Sequence, residues 1–197
     1  VMKNIAKMEK KTGKKWNSTK NPLLVSVRSG AAISMPGMMD TILNLGLNEK
    51  TVEGFAEQTK NPRFSWDSYR RFIQLFGKVV FGVNDEKFDH VLDDAKEKQG
   101  VTDDSKLSVE SLKSIVSKYK KICEEHTKRK FPDTPNEQLV LSIEAVFKSW
   151  MGERAIVYRE KNNITKDIAN GTAVNVVTMV FGNMGDDSAT GVVFTRN

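Results

Sequence analysis

This 197-residue chain has almost no cysteine and no long apolar run. The single cysteine, Cys123, excludes a disulfide within the chain and fits a reducing compartment. No apolar run approaches the roughly 20 residues that a membrane-spanning helix needs, so no membrane partner is expected. The first residues also lack the apolar core of a signal peptide, which favours a cytoplasmic location and leaves an organelle open.

Histidine is scarce as well, and this bears on metal binding. His90 and His126 lie on predicted helices without a serine, cysteine or metal-ligand partner at useful spacing, which predicts two surface residues. The neighbouring acids Asp186 and Asp187 lie in a predicted turn, where such pairs are usually solvated, and no third ligand is suitably spaced. We therefore expect no metal site within the chain.

The net charge of +6 is concentrated at one end. Residues 1–20 contain seven lysines and one glutamate, a net of +6, so the rest of the chain is neutral overall. This lysine-rich segment places Ile5 and Met8 on one face of a predicted helix, and it lacks the interleaved aromatic residues of a single-strand-binding surface. We therefore expect a solvated helix and no nucleic-acid partner.

The middle of the chain, residues 48–150, has the apolar spacing of helices. Apolar residues recur at intervals of three and four, and polar capping residues precede them. The predicted helices begin at or near Asn48, Ser65, Asp85, Ser108 and Thr134. These residues are interpreted as one helical unit.

Both ends of the chain instead favour strands. Leu23–Val27 is an apolar run that Arg28 ends, and β-branched and aromatic residues recur later in the chain. The later predicted strands are Ala155–Tyr158, Thr172–Phe181 and Gly191–Thr195. This pattern predicts an α+β fold in which both chain ends form one mixed sheet and residues 48–150 are a helical insertion.

The segment that follows the first predicted strand has features of a phosphate site. An arginine at a strand end offers a planar set of donors for phosphate oxygens, and the next residues, from Ser34 to Thr41, offer backbone amides. Pro36-Gly37 predicts a turn, and Gly37 allows a ligand to approach the backbone closely. On charge chemistry alone, an ordinary salt bridge is the commoner role for an arginine such as Arg28.

The sequence of this segment, VSVRSGAAISMPGMMDTILNLGLN, closely resembles the nucleotide-binding region of the pyruvate phosphate dikinase family. Further blocks resemble the family in the same order, from residue 21 to the end: WDSYRRF, FKSW, RAIVYR and GTAVNVVTMVFGNMGDDSATGVVFTRN. The resemblance implies part of an ATP-grasp domain, with residues 1–47 and 151–197 as its β-containing part and residues 48–150 as a helical insertion subdomain. Arg70 and Arg71, in the first of these blocks, are expected to form ion pairs or domain contacts.

The resemblance also implies site residues. Arg28 matches the family's ATP-site arginine, a catalytic residue that would neutralise charge on the transferred β-phosphoryl group. Two further groups are implied to contact the nucleotide or its phosphates: the loop residues Ser34, Met35, Gly37, Met38, Met39, Asp40 and Thr41, and the strand residues Thr178, Met179 and Val180. The methionines suit a mobile lid over the nucleotide.

The implied reaction interconverts ATP, phosphate and pyruvate with AMP, pyrophosphate and phosphoenolpyruvate through a phosphohistidine. ATP would act with Mg²⁺ whose ligands lie outside this chain, and the partners would be the phosphohistidine and pyruvate-binding domains of the same polypeptide, in a homodimer. The chain alone would be an inactive fragment. Two alternatives stay open, the nucleotide domain of a water-dependent phosphoenolpyruvate synthase and a non-enzymatic helical interaction module.

Overall fold

A computed structural model of the chain describes residues 1–185, 187–191 and 193, and places seven α-helices and three strands in them. The helices are α1 (Met2–Thr12), α2 (Glu49–Thr59), α3 (Pro62–Phe81), α4 (Glu86–Gln99), α5 (Val109–Thr127), α6 (Pro135–Ser149) and α7 (Glu153–Lys161). The strands are β1 (Val25–Ala31), β2 (Thr41–Leu45) and β3 (Thr172–Thr178), and a short 3-10 helix covers Asp104–Lys106. The fold is therefore a mixture of helices and a small sheet. No helix in this part of the chain is both long and apolar enough to cross a membrane.

The three strands form one sheet in the order β2-β1-β3. β1 pairs with β3 in register from Val25 opposite Thr178 to Ala31 opposite Thr172, so the two ends of the chain meet as predicted. Both pairings are antiparallel, which corrects the expectation of a mixed sheet.

β1 is longer than the sequence predicted. Its side chains are buried as far as Val27, and Arg28 is exposed, yet the backbone keeps its pairing with β3 to Ala31. Arg28 therefore lies in the middle of a strand and not at its end. The apolar pattern stopped at Val27 because one face of the sheet meets solvent there, whereas main-chain hydrogen bonds continue regardless of side-chain polarity.

Two further strand predictions need comment. Residues Ala155–Tyr158, predicted as a strand, lie within α7, which Glu153 opens and Arg159 and Lys161 close with charges suited to the helix dipole. Only Ala155 of this helix is buried, so the local charge pattern, and not extensive packing, accounts for a helix despite the β-branched Ile156 and Val157. The predicted strand Gly191–Thr195 falls largely outside the described residues. β2 was not predicted at all.

The predicted helix starts are largely confirmed. Asn48 caps α2 by accepting hydrogen bonds from the backbone of Lys50 and Thr51, and Ser108 and Thr134 cap α5 and α6. α3 begins at Pro62, three residues before the predicted Ser65, because proline suits the first helical turn and Asn61 caps it.

One core joins the sheet to the helices. Its strand residues include Val25, Val27 and Ile42, and its helical residues include the predicted apolar stripe of α3, from which Tyr69, Phe72, Ile73 and Phe76 are fully buried. The lysine-rich segment is helical as predicted, with Ile5 buried in this core. A second, smaller apolar cluster consists of Met35, Trp150, Ala155 and Ala169. The division at residues 47/48 and 150/151 stays a prediction.

Candidate functional site

One face of the sheet packs on the helices and the other is open to solvent. Along β3 the side chains alternate, with Val174 and Val176 packed against the core and Asn175 exposed. The register places Arg28 directly between Thr41 of β2 and Asn175 of β3. Because directly opposed residues project from the same face, these three polar side chains form a row across the sheet, which we call the cross-strand row.

Arg28 is exposed on this face and is oriented by a hydroxyl. Its Nε donates to Ser26 Oγ at 3.3 Å, and Ser26, only 2% exposed, lies 3.5 Å from the Val177 carbonyl oxygen, which its hydroxyl can bind. None of the salt bridges among the described residues includes Arg28. The positive charge therefore faces solvent without a carboxylate partner in this part of the chain.

The loop between β1 and β2 surrounds a cavity of about 480 Å³. Within the loop, Met38 N donates to Met35 O at 3.2 Å, Pro36 follows Met35, and Gly37 has a φ of +72°. This is the arrangement of a type II turn, and it confirms the turn predicted at Pro36-Gly37. The cavity is lined by residues 29–37 with Met39 and Thr41, so the structure brings together the predicted Ser34, Met35, Gly37, Met39 and Thr41.

Apolar packing holds one end of the loop in place. Met35 is only 5% exposed and belongs to the small cluster with Trp150, Ala155 and Ala169. Arg159 covers the Trp150 ring at 4.1 Å from its centroid. Met35 is therefore an anchor of the loop, while Met38 and Met39 are half-buried.

Polar contacts hold the other end of the loop. Asp40 N donates to Ser149 Oγ at 3.2 Å, and Arg154 donates to Asp40 Oδ1 at 3.0 Å and to Gly37 O at 3.4 Å. Asp40, predicted as part of a phosphate-binding loop, thus pairs with an arginine of α7. The role of Arg154 was not predicted from the sequence. The residues after it were predicted to form a strand, and a strand at this position gave no reason to place the Arg154 side chain near the loop.

The other predicted group, Thr178, Met179 and Val180, lies at the far end of β3. Thr178 pairs with Val25, whereas the loop begins after Ala31, about 20 Å away along the strand. Met179 and Val180 line a separate cavity of about 250 Å³ beside Phe55. The structure does not bring these residues into the loop cavity, and their role stays a prediction.

A larger cavity, about 650 Å³, lies between α3, α5 and α6. Of the predicted site residues it includes Asp40 alone, and its floor contains Val79, Val80 and Leu141. Cavity size therefore does not point to the predicted residues, most of which lie in the β1–β2 loop or on the open sheet face.

Comparison with known proteins supplies the family. Residues 1–197 match the family model described as "Pyruvate phosphate dikinase, AMP/ATP-binding domain". The chain belongs to this family. Its match to the dikinase family is continuous from the lysine-rich α1 through the sheet and the helical segment.

Named relatives in the dikinase family agree. The chain is 56% identical over 197 residues to pyruvate, phosphate dikinase of Entamoeba histolytica and 54% identical over 196 residues to that of Giardia intestinalis, in each case covering 100% of this chain and 22% of the relative. It is 50% identical to pyruvate, phosphate dikinase 1, chloroplastic, of Arabidopsis thaliana, covering 20% of that protein. The chain thus spans about a fifth of the length of the relatives it matches.

The dikinase resemblance raises the question of a metal ion beside the nucleotide. Among residues 1–185, 187–191 and 193, no group of three or more histidine, cysteine or acidic side chains could hold one. The acidic pair of the predicted turn includes Asp186, which lies outside the described residues.

The remaining reactive residues of this dikinase segment are structural. Burial raises the pKa of the Cys123 thiol to about 12, which leaves it un-ionised at neutral pH. His90 and His126 are exposed, as predicted, and His126 Nε2 lies 3.1 Å from the Phe81 carbonyl oxygen. Arg70 and Arg71 both pair with Asp67, which confirms the ion pairing predicted for them.

Proposed function

We propose that this chain is part of the nucleotide-binding domain of a pyruvate phosphate dikinase. The enzyme interconverts ATP, phosphate and pyruvate with AMP, pyrophosphate and phosphoenolpyruvate through a phosphohistidine. The observation that carries the proposal is Arg28, an exposed guanidinium on the open sheet face whose neighbours Ser29 and Thr41 line the loop cavity. The names of the relatives, pyruvate, phosphate dikinase, favour the phosphate-using enzyme over the water-dependent synthase.

Arg28 acts on the phosphates. Its Nε donates to Ser26 Oγ at 3.3 Å. The two terminal nitrogens of the guanidinium are then available to donate to oxygens of the polyphosphate. As the β-phosphoryl group is transferred, charge spreads over its oxygens, and a fixed cation beside it lowers the energy of that state. Orientation by a buried hydroxyl reduces the rearrangement that the guanidinium needs during the reaction.

The loop of residues 32–40 covers the phosphates. Its turn at Gly37 exposes backbone amides that can donate to phosphate oxygens, and the Thr41 hydroxyl stands next to Arg28 in the sheet. Ser34, Met38 and Met39 complete the cover and exclude water, while Met35 and the Asp40–Arg154 pair hold the loop to the α6–α7 corner. The anchors favour small adjustments of a pre-formed loop over a freely mobile lid.

The two predicted groups fit one extended nucleotide. Arg28 lies midway along β1, about 10 Å from the strand's end beside Thr178 and about 10 Å from its end at the loop. Phosphates held by Arg28 and the loop leave the nucleoside to extend along the open face toward the Thr178 end of β3 and Val180, while the Thr178 side chain itself, opposite buried Val25, projects from the core face. Val180 is 88% exposed, which is consistent with a cleft wall that a nucleotide covers.

The rest of the enzyme is proposed to lie elsewhere in the polypeptide. This includes the remaining part of an ATP-grasp domain, the Mg²⁺ ligands, the phosphohistidine domain and the pyruvate-binding domain, in a cytoplasmic homodimer. The 197-residue chain supplies one wall of the cleft and is expected to bind ATP only weakly, without a Mg²⁺ dependence of its own. A tight ATP complex of this chain with full Mg²⁺ dependence would contradict that expectation.

The test uses the full-length polypeptide that contains this segment. ATP and pyruvate are supplied with and without phosphate, and AMP and pyrophosphate are measured. We expect phosphate-dependent pyrophosphate formation that falls about 100-fold or more in Arg28→Ala, the usual cost of removing one donor from a transition state. Arg129→Ala, which removes another exposed arginine, is the matched control and should retain activity.

Three outcomes are informative. Pyrophosphate formation that depends on phosphate and on Arg28 supports the proposal. Activity that ignores phosphate assigns the protein to the water-dependent class. A wild-type enzyme without nucleotide-dependent activity overturns the proposal and favours the interaction module.

A further inference from the structure

Asn175 occupies an unusual position in β3. It is exposed between two valines that pack against the core, in the middle of the strand. Asparagine is depleted in strands because its side chain competes for backbone hydrogen bonds and packs poorly. A residue that goes against local preference at an exposed position is a candidate for a functional role.

The side chain of Asn175 leans over β1, and a glycine makes room for it. A Cβ atom built on Gly30 would lie 2.5 Å from Asn175 Nδ2, closer than real Cβ atoms approach, and at an ordinary contact distance of 3.4 Å from its Cγ. Gly30 has no positive φ that would otherwise require glycine. Its missing side chain therefore matters because it leaves space for the Asn175 amide.

Arg28 is the residue directly opposite Asn175 in the register. Opposed residues in antiparallel strands have Cβ atoms about 5 Å apart, so the two side chains can reach the same small ligand. Among the described residues, no side-chain hydrogen bond engages the Asn175 amide, whereas Ser26 fixes Arg28. The amide thus offers two donors beside the exposed cation.

We propose that Asn175 is a nucleotide-contacting residue that donates from Nδ2 to a phosphate oxygen of the polyphosphate held by Arg28, and that Gly30 keeps the amide in place. This inference rests on the proposed function. A phosphoryl group has more oxygens than one guanidinium can engage, and a neutral donor satisfies another without adding repulsion to Arg28. AMP lacks the β- and γ-phosphoryl groups and so gains less from this contact.

The test measures equilibrium binding of ATP, inorganic tripolyphosphate and AMP to the full-length protein. We expect Asn175→Ala to weaken ATP and tripolyphosphate binding about tenfold, the size of a hydrogen bond to a charged group, and AMP binding less than twofold. Asn175→Asp should weaken both polyphosphates more, about 100-fold, because a carboxylate would pair with Arg28 and repel phosphate. Asn4→Ala, at an exposed position on α1, is the matched control.

The Gly30→Ala variant tests the Asn175 contact independently. It should displace the amide and reproduce the loss seen in Asn175→Ala, and the double variant should lose no more than either single one, because both changes remove the same contact. If Asn175→Ala destabilises the fold, Asn175→Val replaces it, since a β-branched residue suits an exposed strand.

The outcomes separate the two proposals. If Arg28→Ala weakens ATP binding and the Asn175 variants bind as the wild type does, this inference is wrong and the proposed function stands. Equal losses for ATP, tripolyphosphate and AMP also overturn the inference, because they indicate general damage to the sheet. If the wild type binds no ATP, or Arg28→Ala has no effect, the proposed function fails and this inference fails with it.

Discussion

Polar side chains are buried and paired in the helical core, whereas on the open face of the sheet they are exposed and lack a charged partner among the described residues. In the helical core, Arg70 is 3% exposed and donates to Asp67 at 2.7 Å and to Asp104 at 3.5 Å. On the sheet, Arg28 is exposed and its bond is to a neutral hydroxyl, Ser26. The same side chain is thus neutralised in one region and left charged in the other.

The neutral groups show the same contrast. In the core, Tyr119 donates its hydroxyl to the Phe88 carbonyl, and burial raises its pKa to about 12, while Cys123 is held un-ionised in the same way. On the sheet, the Asn175 amide is exposed beside Arg28. Polar chemistry in the core therefore serves packing, and polar chemistry on the sheet face is available to a ligand.

The largest expected effect tests the structural arginine. Arg70→Ala should lower the free energy of unfolding by about 3 kcal/mol, because a buried carboxylate loses its partner, although Arg71 still pairs with Asp67. Arg28→Ala should change it by less than about 0.5 kcal/mol, as for other exposed sites. Urea unfolding of the 197-residue chain, followed by tryptophan fluorescence, compares the two. Equal losses of unfolding free energy in the two variants would contradict the assignment of a structural role to Arg70 and not to Arg28.

A smaller effect is expected where the two environments meet, at the buried hydroxyl that orients the exposed arginine. Ser26→Ala should weaken ATP binding to the full-length protein about fivefold, since one hydrogen bond is worth about 1 kcal/mol. The loss should vanish when Arg28 is already alanine, because the hydroxyl acts through that side chain. Ser114→Ala, at an exposed position of α5 away from the sheet, is the control. Additive losses for Ser26→Ala and Arg28→Ala would show that Ser26 has another role.

The loop anchor should matter less. Arg154 is 66% exposed in its pair with Asp40, and exposed ion pairs contribute at most about 1 kcal/mol. Arg154→Ala should therefore raise the KM for ATP about two- to fivefold with little change in kcat, and Asp40→Asn should do the same. Steady-state kinetics of the full-length enzyme measures both variants. A large fall in kcat would instead indicate that Arg154 takes part in the chemistry.

The smallest effect concerns the buried thiol. With its pKa raised to about 12, Cys123 should not react with a thiol reagent at pH 8 until the chain unfolds. Because the folded-state pKa exceeds the unfolded value of about 8.5, its contribution to stability is present below that value and is lost as pH rises toward 12. Rapid labelling of the native chain would place Cys123 nearer to solvent than the structure does.

Prediction from sequence succeeded where the signal was local. Asn48, Ser108 and Thr134 each act as helix caps, and the stripe of α3 is buried as its spacing predicted. Prediction was wrong where distant pairing decides. β1 continues past Arg28 because β3, far along the chain, completes its hydrogen bonds. The helix at Ala155–Tyr158 is a different error, in which β-branched residues outweighed the helical charge pattern around them.

The candidate site divides in the same way. The sequence motif around residues 25–48 was sufficient to identify Arg28 and the loop of residues 34–41 as candidate site residues. It gave no sign that Arg154 holds Asp40 or that Met35 packs against Trp150, since these contacts join residues more than 100 positions apart. Asn175 was missed because a single asparagine in a strand has no spacing pattern, and only the register places it opposite Arg28.

The sequence by itself determined the family, the positions of the helices other than α7 and the identity of the exposed arginine, because periodicity, caps and sequence motifs are properties of neighbouring residues. Tertiary structure alone decided that the sheet shared by the two chain ends is antiparallel and that Thr41, Arg28 and Asn175 lie in one row on its open face. The physical reason is that strand register is set by hydrogen bonds and burial between segments far apart in the chain, which no local pattern specifies.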